Sequence, residues 1–187
     1  MPGKERDAVR TRRLVLDAAA AAVTENGAGV SLDRIARSAG VSKSGLLHHF
    51  SSREKLLLAL AEDLVAQFRA AVERALDPAD HGRGRLIRAY VNATVDDLLE
   101  DSTARYFRLM ASLAAVPGVA ELMERDNARW DAEFADDGLH PERALLIVRA
   151  ADGATVAGLY EGRHEPEDLE TLRRTLLTLS AAEGPLA

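Results

Sequence analysis

The stretch Ser31–Leu56, SLDRIARSAGVSKSGLLHHFSSREKL, leaves this chain the fewest ways to fold. Ser31 is placed to cap a helix carrying Leu32, Ile35, Ala36 and Ala39 on one face, and Gly40 supplies the residue that ends it. A tight turn plugged by Val41 follows. Ser42 caps a second short helix with an apolar stripe of Leu46, Leu47 and Phe50. Ala36, four residues before Gly40, falls where the two helices cross most closely, and only a small side chain fits there. The spacing predicts a helix-turn-helix over about 31–50, with Lys43, Ser44, Gly45 and His48 on the face left outside.

That outer face is short, polar and cationic, which suits a narrow anionic partner. The major groove of double-stranded DNA admits one helix, with its N-terminal residues at the base edges. Lys43 and Ser44 can donate to bases or phosphates, and His48 lies on the same side. Gly45 costs about 0.5–1 kcal/mol in mid-helix relative to Ala. It reads either as allowing close backbone approach to a duplex or as clearing space against the next helix. His48 and His49 point about 100° apart on a helix and cannot share one ion, so neither metal nor cofactor is expected. His49 is expected to pack with Phe50 and offer a ring nitrogen to a phosphate. Arg10, Arg12 and Arg13 open the first helix and are either a solvated helix start or a basic contact to DNA, Arg10 first among them.

The run Ile35 Ala36, Ala39 Gly40 Val41 Ser42, Leu46, His49 Phe50, Glu54 and Leu56, after a first helix with Leu16 Asp17 Ala18 Ala19 and a stop at Gly27, resembles the DNA-binding end of TetR-family transcriptional regulators. The resemblance covers a quarter to a third of the chain; beyond Leu60 it extends only to length and all-helical character. It implies a dimeric switch, usually a repressor, that leaves its operator when a small molecule binds. Three positions depart from the family pattern: Leu47 stands where Tyr is usual and removes a phosphate-touching hydroxyl, Arg53 replaces the common Lys, and Val30 stands where Thr is common. Gripping of the DNA backbone then falls to Ser31, Arg53, Lys55 and the histidines. The candidate DNA-binding set is Arg10, Ser31, Ser42, Lys43, Ser44, Gly45, His48, His49, Arg53 and Lys55.

Charge is divided along the chain. Residues 1–62 carry ten basic and seven acidic side chains, a net +3, which leaves −9 on the rest of a chain whose total is −6. An acidic body on a basic foot would orient the molecule on a polyanion, although acidic surface also serves solubility alone. The absence of Cys excludes disulfides, thiol catalysis and Cys-based zinc sites and fits a reducing cytosol. No apolar run is long enough to span a bilayer, and the first residues carry both charges with no apolar stretch before Leu14, so a cytoplasmic protein without a signal peptide is expected.

The predicted fold class is all-α, with a three-helix helix-turn-helix domain and a mobile N-terminal arm over 1–52 and a helical effector-binding and dimerisation domain over 53–187. Residues 1 to about 9 form the arm, and the first helix buries Leu14, Val15, Ala18, Ala19, Ala22 and Val23. A long helix from Arg53 carries Leu56, Leu57, Leu60, Leu64, Phe68 and Val72 along one face and would join foot to body as a rod. After the break at Asp77–Gly82, helices are expected around Leu86–Leu99, Tyr106–Ala114 and Leu122–Phe134. Pro141 and Pro166 open the last two.

Tyr90, Thr94, Phe107, Met110, Met123, Asn127 and Trp130 are the candidate ligand contacts, Met filling irregular space and Trp offering one large apolar face. The same residues at helical spacing would serve as ordinary core. The last two helices, with small residues Ala150, Ala151, Gly153, Ala154, Ala157 and Gly158 on one and leucines on the other, resemble the family's four-helix dimer interface, or else close a monomer core. Two other readings stay open. One is a body that only dimerises or docks proteins. The other is an enzyme using Asp152, Glu161, His164 and Glu165, which no nucleophile, phosphate loop or spaced metal set accompanies.

Overall fold

Ser31 and Ser42 do what their positions predict. The Ser31 hydroxyl accepts from Arg34 N at 3.3 Å and opens α2 (Leu32–Ser38); the Ser42 hydroxyl accepts from Gly45 N at 3.0 Å and opens α3 (Lys43–His49). Between them Gly40 takes a φ of +68°, Gly40 N donates to Arg37 O at 3.2 Å and Val41 N to Ala36 O at 3.0 Å. These two bonds are a Schellman turn, which satisfies the last carbonyls of α2 and reverses the chain in three residues. Ile35, Ala36, Leu46 and Phe50 are buried as a result.

The computed structural model describes residues 2–100, 102–161 and 165–186; at 2–5, 102–105, 107 and 159–161 the backbone alone is described. Among the described residues the elements are α-helices and no strand occurs. Besides α2 and α3 they are α1 (Pro2–Asn26), α4 (Arg53–Ala75), α5 (Arg85–Leu99), α6 (Ser102–Leu113), α7 (Val119–Asp136), α8 (Pro141–Glu161) and α9 (Pro166–Ala181).

Two expected boundaries move. The residues expected to form a mobile arm are helical from Pro2 onward. Within this helix Asp7 and Arg10 form a 3.5 Å ion pair one turn apart, a spacing at which opposite charges favour the helical state. Helix α6 likewise begins at Ser102, four residues before the expected Tyr106.

Contacts divide the chain into two compact units. The first comprises Met1–Leu64 with Arg108–Met123, and the second Val65–Phe107 with Glu124–Ala187, so α4 contributes to both. In the first, α1 packs on α2 and α2 on α3, and the core includes Val15, Leu16, Ala19 and Val23 of α1 with Leu56, Leu57 and Leu60 of α4. Leu14, expected inside, is 47% exposed. Arg13 ties α1 to α4, donating to Asp17 on its own helix and to both oxygens of Asp63 at 2.7 and 2.8 Å. Substituting Ala36 by Leu should overpack the α2–α3 crossing and lower stability by about 1–3 kcal/mol, read as a lower urea midpoint at unchanged slope.

In the second unit α5 is the central helix and packs against α8 and α9. Its first turn is held from a distance: the Asp137 carboxylate accepts from Leu86 N at 3.0 Å and Ile87 N at 2.9 Å, and Asp137 O accepts from Gly84 N. Ile87, Val91, Ile147, Ala151, Leu169 and Leu176 are buried there.

Candidate nucleic-acid interface and effector region

Helix α3 turns its charged and polar side chains outward. Lys43, Ser44 and His48 are exposed, as is Leu47 at 38%, while Gly45 and His49 are half-buried. Ser42 and Ser44 hydroxyls lie 3.1 Å apart, so both are fixed beside the helix start. A Cβ at Gly45 would stand 3.1 Å from Ser42 Oγ. Glycine therefore relieves crowding at the cap itself, a reason separate from approach to a duplex. His48 and His49 meet edge to face at 5.7 Å. Among the described residues no group of three His, Asp or Glu side chains is arranged to hold a metal ion.

Several cations of the N-terminal helices lie beside carboxylates. Lys43 Nζ lies 2.9 Å from Asp33 Oδ2, Arg34 is 3.5 Å from Glu25, Arg53 is 3.6 Å from Glu54, and Arg10 pairs with Asp7. Ser31 is exposed with its hydroxyl on the α2 cap, and Lys55, also exposed, follows Ser52, whose hydroxyl accepts from Lys55 N at 3.2 Å. Arg12 sets its guanidinium 5.3 Å from the Phe50 ring. Of Arg10, Arg12 and Arg13, the last two thus have intramolecular work, and Arg10 is the most exposed in its pairing.

The candidate effector residues divide between the two units. Met110 is buried and Met123 half-buried in the first. Tyr90, Thr94, Asn127 and Trp130 belong to the second, where Asn127 is exposed; the Phe107 side chain lies outside the described residues. Tyr90 is at the centre of an aromatic cluster, its ring 5.4 Å from Phe68, 5.3 Å from Trp130 and 5.2 Å from Phe134. Its hydroxyl donates to Asp152 Oδ1 at 2.7 Å. Burial first, and then the Asp152 charge, push that hydroxyl far above the usual phenol range; burial likewise raises Tyr106, to about 12. The Thr94 hydroxyl, one turn beyond Tyr90, is buried without a hydrogen-bond partner.

Sequence reasoning passed over Arg69 here. Its guanidinium lies 4.0 Å from the Trp130 ring centre, Nε donates to Asp126 at 2.5 Å and Nη1 to Glu133 at 2.9 Å. The one hint in the sequence is a cation beside Phe68 on the apolar side of α4. Asp152, weighed as a catalytic acid, is engaged by Tyr90 and by Arg149 at 3.3 Å. His164 and the side chain of Glu161 lie outside the described residues.

On α8 the small-residue stripe is shared. Ala151 and Ile147 are buried within the unit, whereas Leu145 (61%), Leu146 (44%) and Val156 (47%) are exposed. On α9, Leu169 and Leu176 are buried, and Leu172, Leu177 and Leu179 pack on the same core. The leucines of α9 therefore pack within the second unit, and of the last two helices it is α8 that keeps large apolar side chains exposed.

Residues 15–60 match the family model for bacterial regulatory proteins of the tetR family, and residues 84–181 match the model for the C-terminal domain of tetracyclin repressor-like proteins. Among curated proteins, the chain is 33% identical over 144 residues to the HTH-type transcriptional activator FasR of Mycolicibacterium smegmatis, covering 74% of this chain and 65% of FasR, just under two thirds of its length. It is 31% identical over 180 residues to the HTH-type transcriptional regulator BetI of Cronobacter sakazakii, covering 89% and 87%. A Rhodococcus structure described as a TetR-family transcriptional regulator superposes with a TM-score of 0.73 at 20% identity over 92% of this chain and all of the other, which speaks for the fold.

Proposed function

Since the chain belongs to the TetR family of transcriptional regulators, we propose that it is a cytoplasmic, ligand-responsive repressor that grips a palindromic operator as a homodimer and releases it when a small molecule enters the body. Residues 1–52 are the DNA-binding domain and 53–187 the effector and dimerisation domain. The observation that carries the reading is the outward face of α3, where Lys43, Ser44 and His48 stand exposed on a helix whose first turn is fixed by Ser42. Ser31, Arg53, Lys55 and Arg10 hold the phosphates on either side, and Gly45 and His49 line the approach. Two such helices related by a two-fold axis enter successive major grooves at a separation of about 34 Å.

The unpartnered Thr94 hydroxyl supports an effector site beside Tyr90 and Trp130, because a buried donor without an acceptor costs about 1–3 kcal/mol until something supplies one. Arg69 is itself on α4, the helix that follows α3 in the chain. A ligand that re-seats Trp130 would change how α4 is held and bias the dimer toward a spacing unfit for DNA; a few kcal/mol of differential binding is sufficient. FasR's description as an activator favours a second reading in which the same complex turns transcription on, and a promoter fusion in the presence of the protein separates the two. A body that only dimerises predicts no ligand at all.

Selection of bound fragments from genomic DNA by the purified protein, repeated with candidate metabolites, tests the whole reading. Fragments sharing a palindrome and losing the protein when one metabolite is added are the expected result. Lys43→Ala and His48→Ala should each weaken binding to the selected fragment by roughly 1–3 kcal/mol without changing the melting temperature, and Arg53→Ala should weaken all sequences alike with a shallower salt dependence. Undiminished binding in all three variants would mean that another surface meets DNA.

A further inference from the structure

Lys43 meets its surroundings as one half of a pair. Its Nζ lies 2.9 Å from Asp33 Oδ2, across the junction of the two capped helices, and both side chains are about half exposed at 54% and 52%. A lone ammonium is a point charge that gains most from an anion, and on DNA the anions are phosphates, identical at every base pair. Next to a carboxylate part of that gain is offset, because the adjacent negative charge repels the same phosphate. The ammonium nonetheless has three N–H donors, and Asp33 engages one. The other two remain for neutral acceptors, and guanine presents such a pair, O6 and N7, in the major groove.

Resting on the reading that α3 meets DNA, we propose that Asp33 sets specificity: by neutralising Lys43 in place it turns a phosphate-seeking cation into a donor that favours a guanine edge. It also pins a long side chain at the first turn of α3, where Ser42 and Ser44 are already fixed. Asp33 is thus a positioning residue that acts through Lys43.

The test measures binding of the native protein, Asp33→Asn, Lys43→Ala and the double variant to two labelled duplexes, one of arbitrary sequence and one carrying the genomically selected palindrome, over a salt series. Asp33→Asn should tighten binding to the arbitrary duplex about three-fold, and should steepen its log–log salt slope by about 0.9, the contribution of one further phosphate neutralised. The palindrome should gain less, so the ratio between the two narrows. In the Lys43→Ala background the slope should not move, and Asp33→Glu should keep the native slope because the carboxylate persists. Equal slope changes with and without Lys43, or an unchanged or wider ratio, overturn the proposal and reduce Asp33 to a local repulsion. A Lys43→Ala variant that binds both duplexes as the native protein does overturns it as well, while DNA binding by α3 then rests on Ser44 and His48. Failure of the native protein to select any genomic fragment defeats the prior reading instead.

Discussion

Replacing Arg69 by leucine lowers the stability of the second unit by about 3 kcal/mol, followed in urea through Trp130, the chain's single tryptophan. Arg69 and Asp126 are only 12% and 13% exposed, and the guanidinium also faces Trp130 and donates to Glu133 and to Asp126 O. Without it Asp126 stays beside Glu133 with its cation gone. Breaking a buried pair from one side costs about 3–5 kcal/mol, and the residual exposure places this one at the lower end. The Arg69→Leu/Asp126→Leu double variant should recover most of the loss, since apolar replacement of both partners removes the stranded charge. pH gives an independent check. Burial pushes the Glu133 carboxyl up, but hydrogen bonds from Arg129 and Arg69 outweigh it and hold the group below its usual value of 4.5. A carboxylate lowered by folding adds stability above that usual value and loses it as pH falls through the folded one. Arg69→Leu removes part of this gain, so the gap between native and variant should be widest near neutrality and narrow below about pH 4.5. A gap of constant size down to pH 3.5 would assign the effect to lost packing on Trp130.

What could be read from the chain was what depends on near neighbours. Ser31, Gly40 and Ser42 act within four residues of themselves, and each takes the predicted role. Pro141 and Pro166 start their helices for the same local reason. Partners remote in sequence were not legible: Asp137 caps α5 from about 50 residues away, and Arg69 finds Asp126 at a separation of 57. The position of Lys43 at the start of α3 is legible from its neighbours, whereas its 2.9 Å bond to Asp33, ten residues earlier, is not. The candidate effector residues show a different limit. Tyr90 and Trp130 sit at helical spacing whether they line a pocket or fill a core, and the pattern cannot separate the two; in the structure Trp130 is buried in the core of the second unit with Tyr90 packed against it. The early start of α1 follows from weak helix-supporting contacts that compete poorly with the appearance of a charged tail.

Arginine at both Leu145 and Val156 should leave a folded monomer whose affinity for the palindrome is lower by about 10²–10⁴-fold. The two side chains are 61% and 47% exposed, and eleven residues, about three turns, put them on one face of α8. Between them Gly153 has nothing within 4 Å of where a Cβ would stand, so a second helix can come close to the backbone there. Single exposed leucines are ordinary on soluble proteins; a row along one helix beside a glycine is the kind of surface that associates. In the proposed homodimer a two-fold axis across α8 would make the contact self-complementary and close the assembly at two. Exposed positions are the ones where charge is tolerated by the subunit itself, so melting should shift by no more than about 0.5 kcal/mol in equivalent stability. The loss at the operator has a different origin: one half-site no longer supplies the high local concentration that delivers the second recognition helix. Binding to an arbitrary duplex, which draws on phosphates one subunit at a time, should fall far less. Sedimentation and operator titration on the same preparation decide the matter, and a variant that is monomeric yet keeps its operator affinity would place the source of cooperation in the DNA-binding heads, leaving α8 free for another partner.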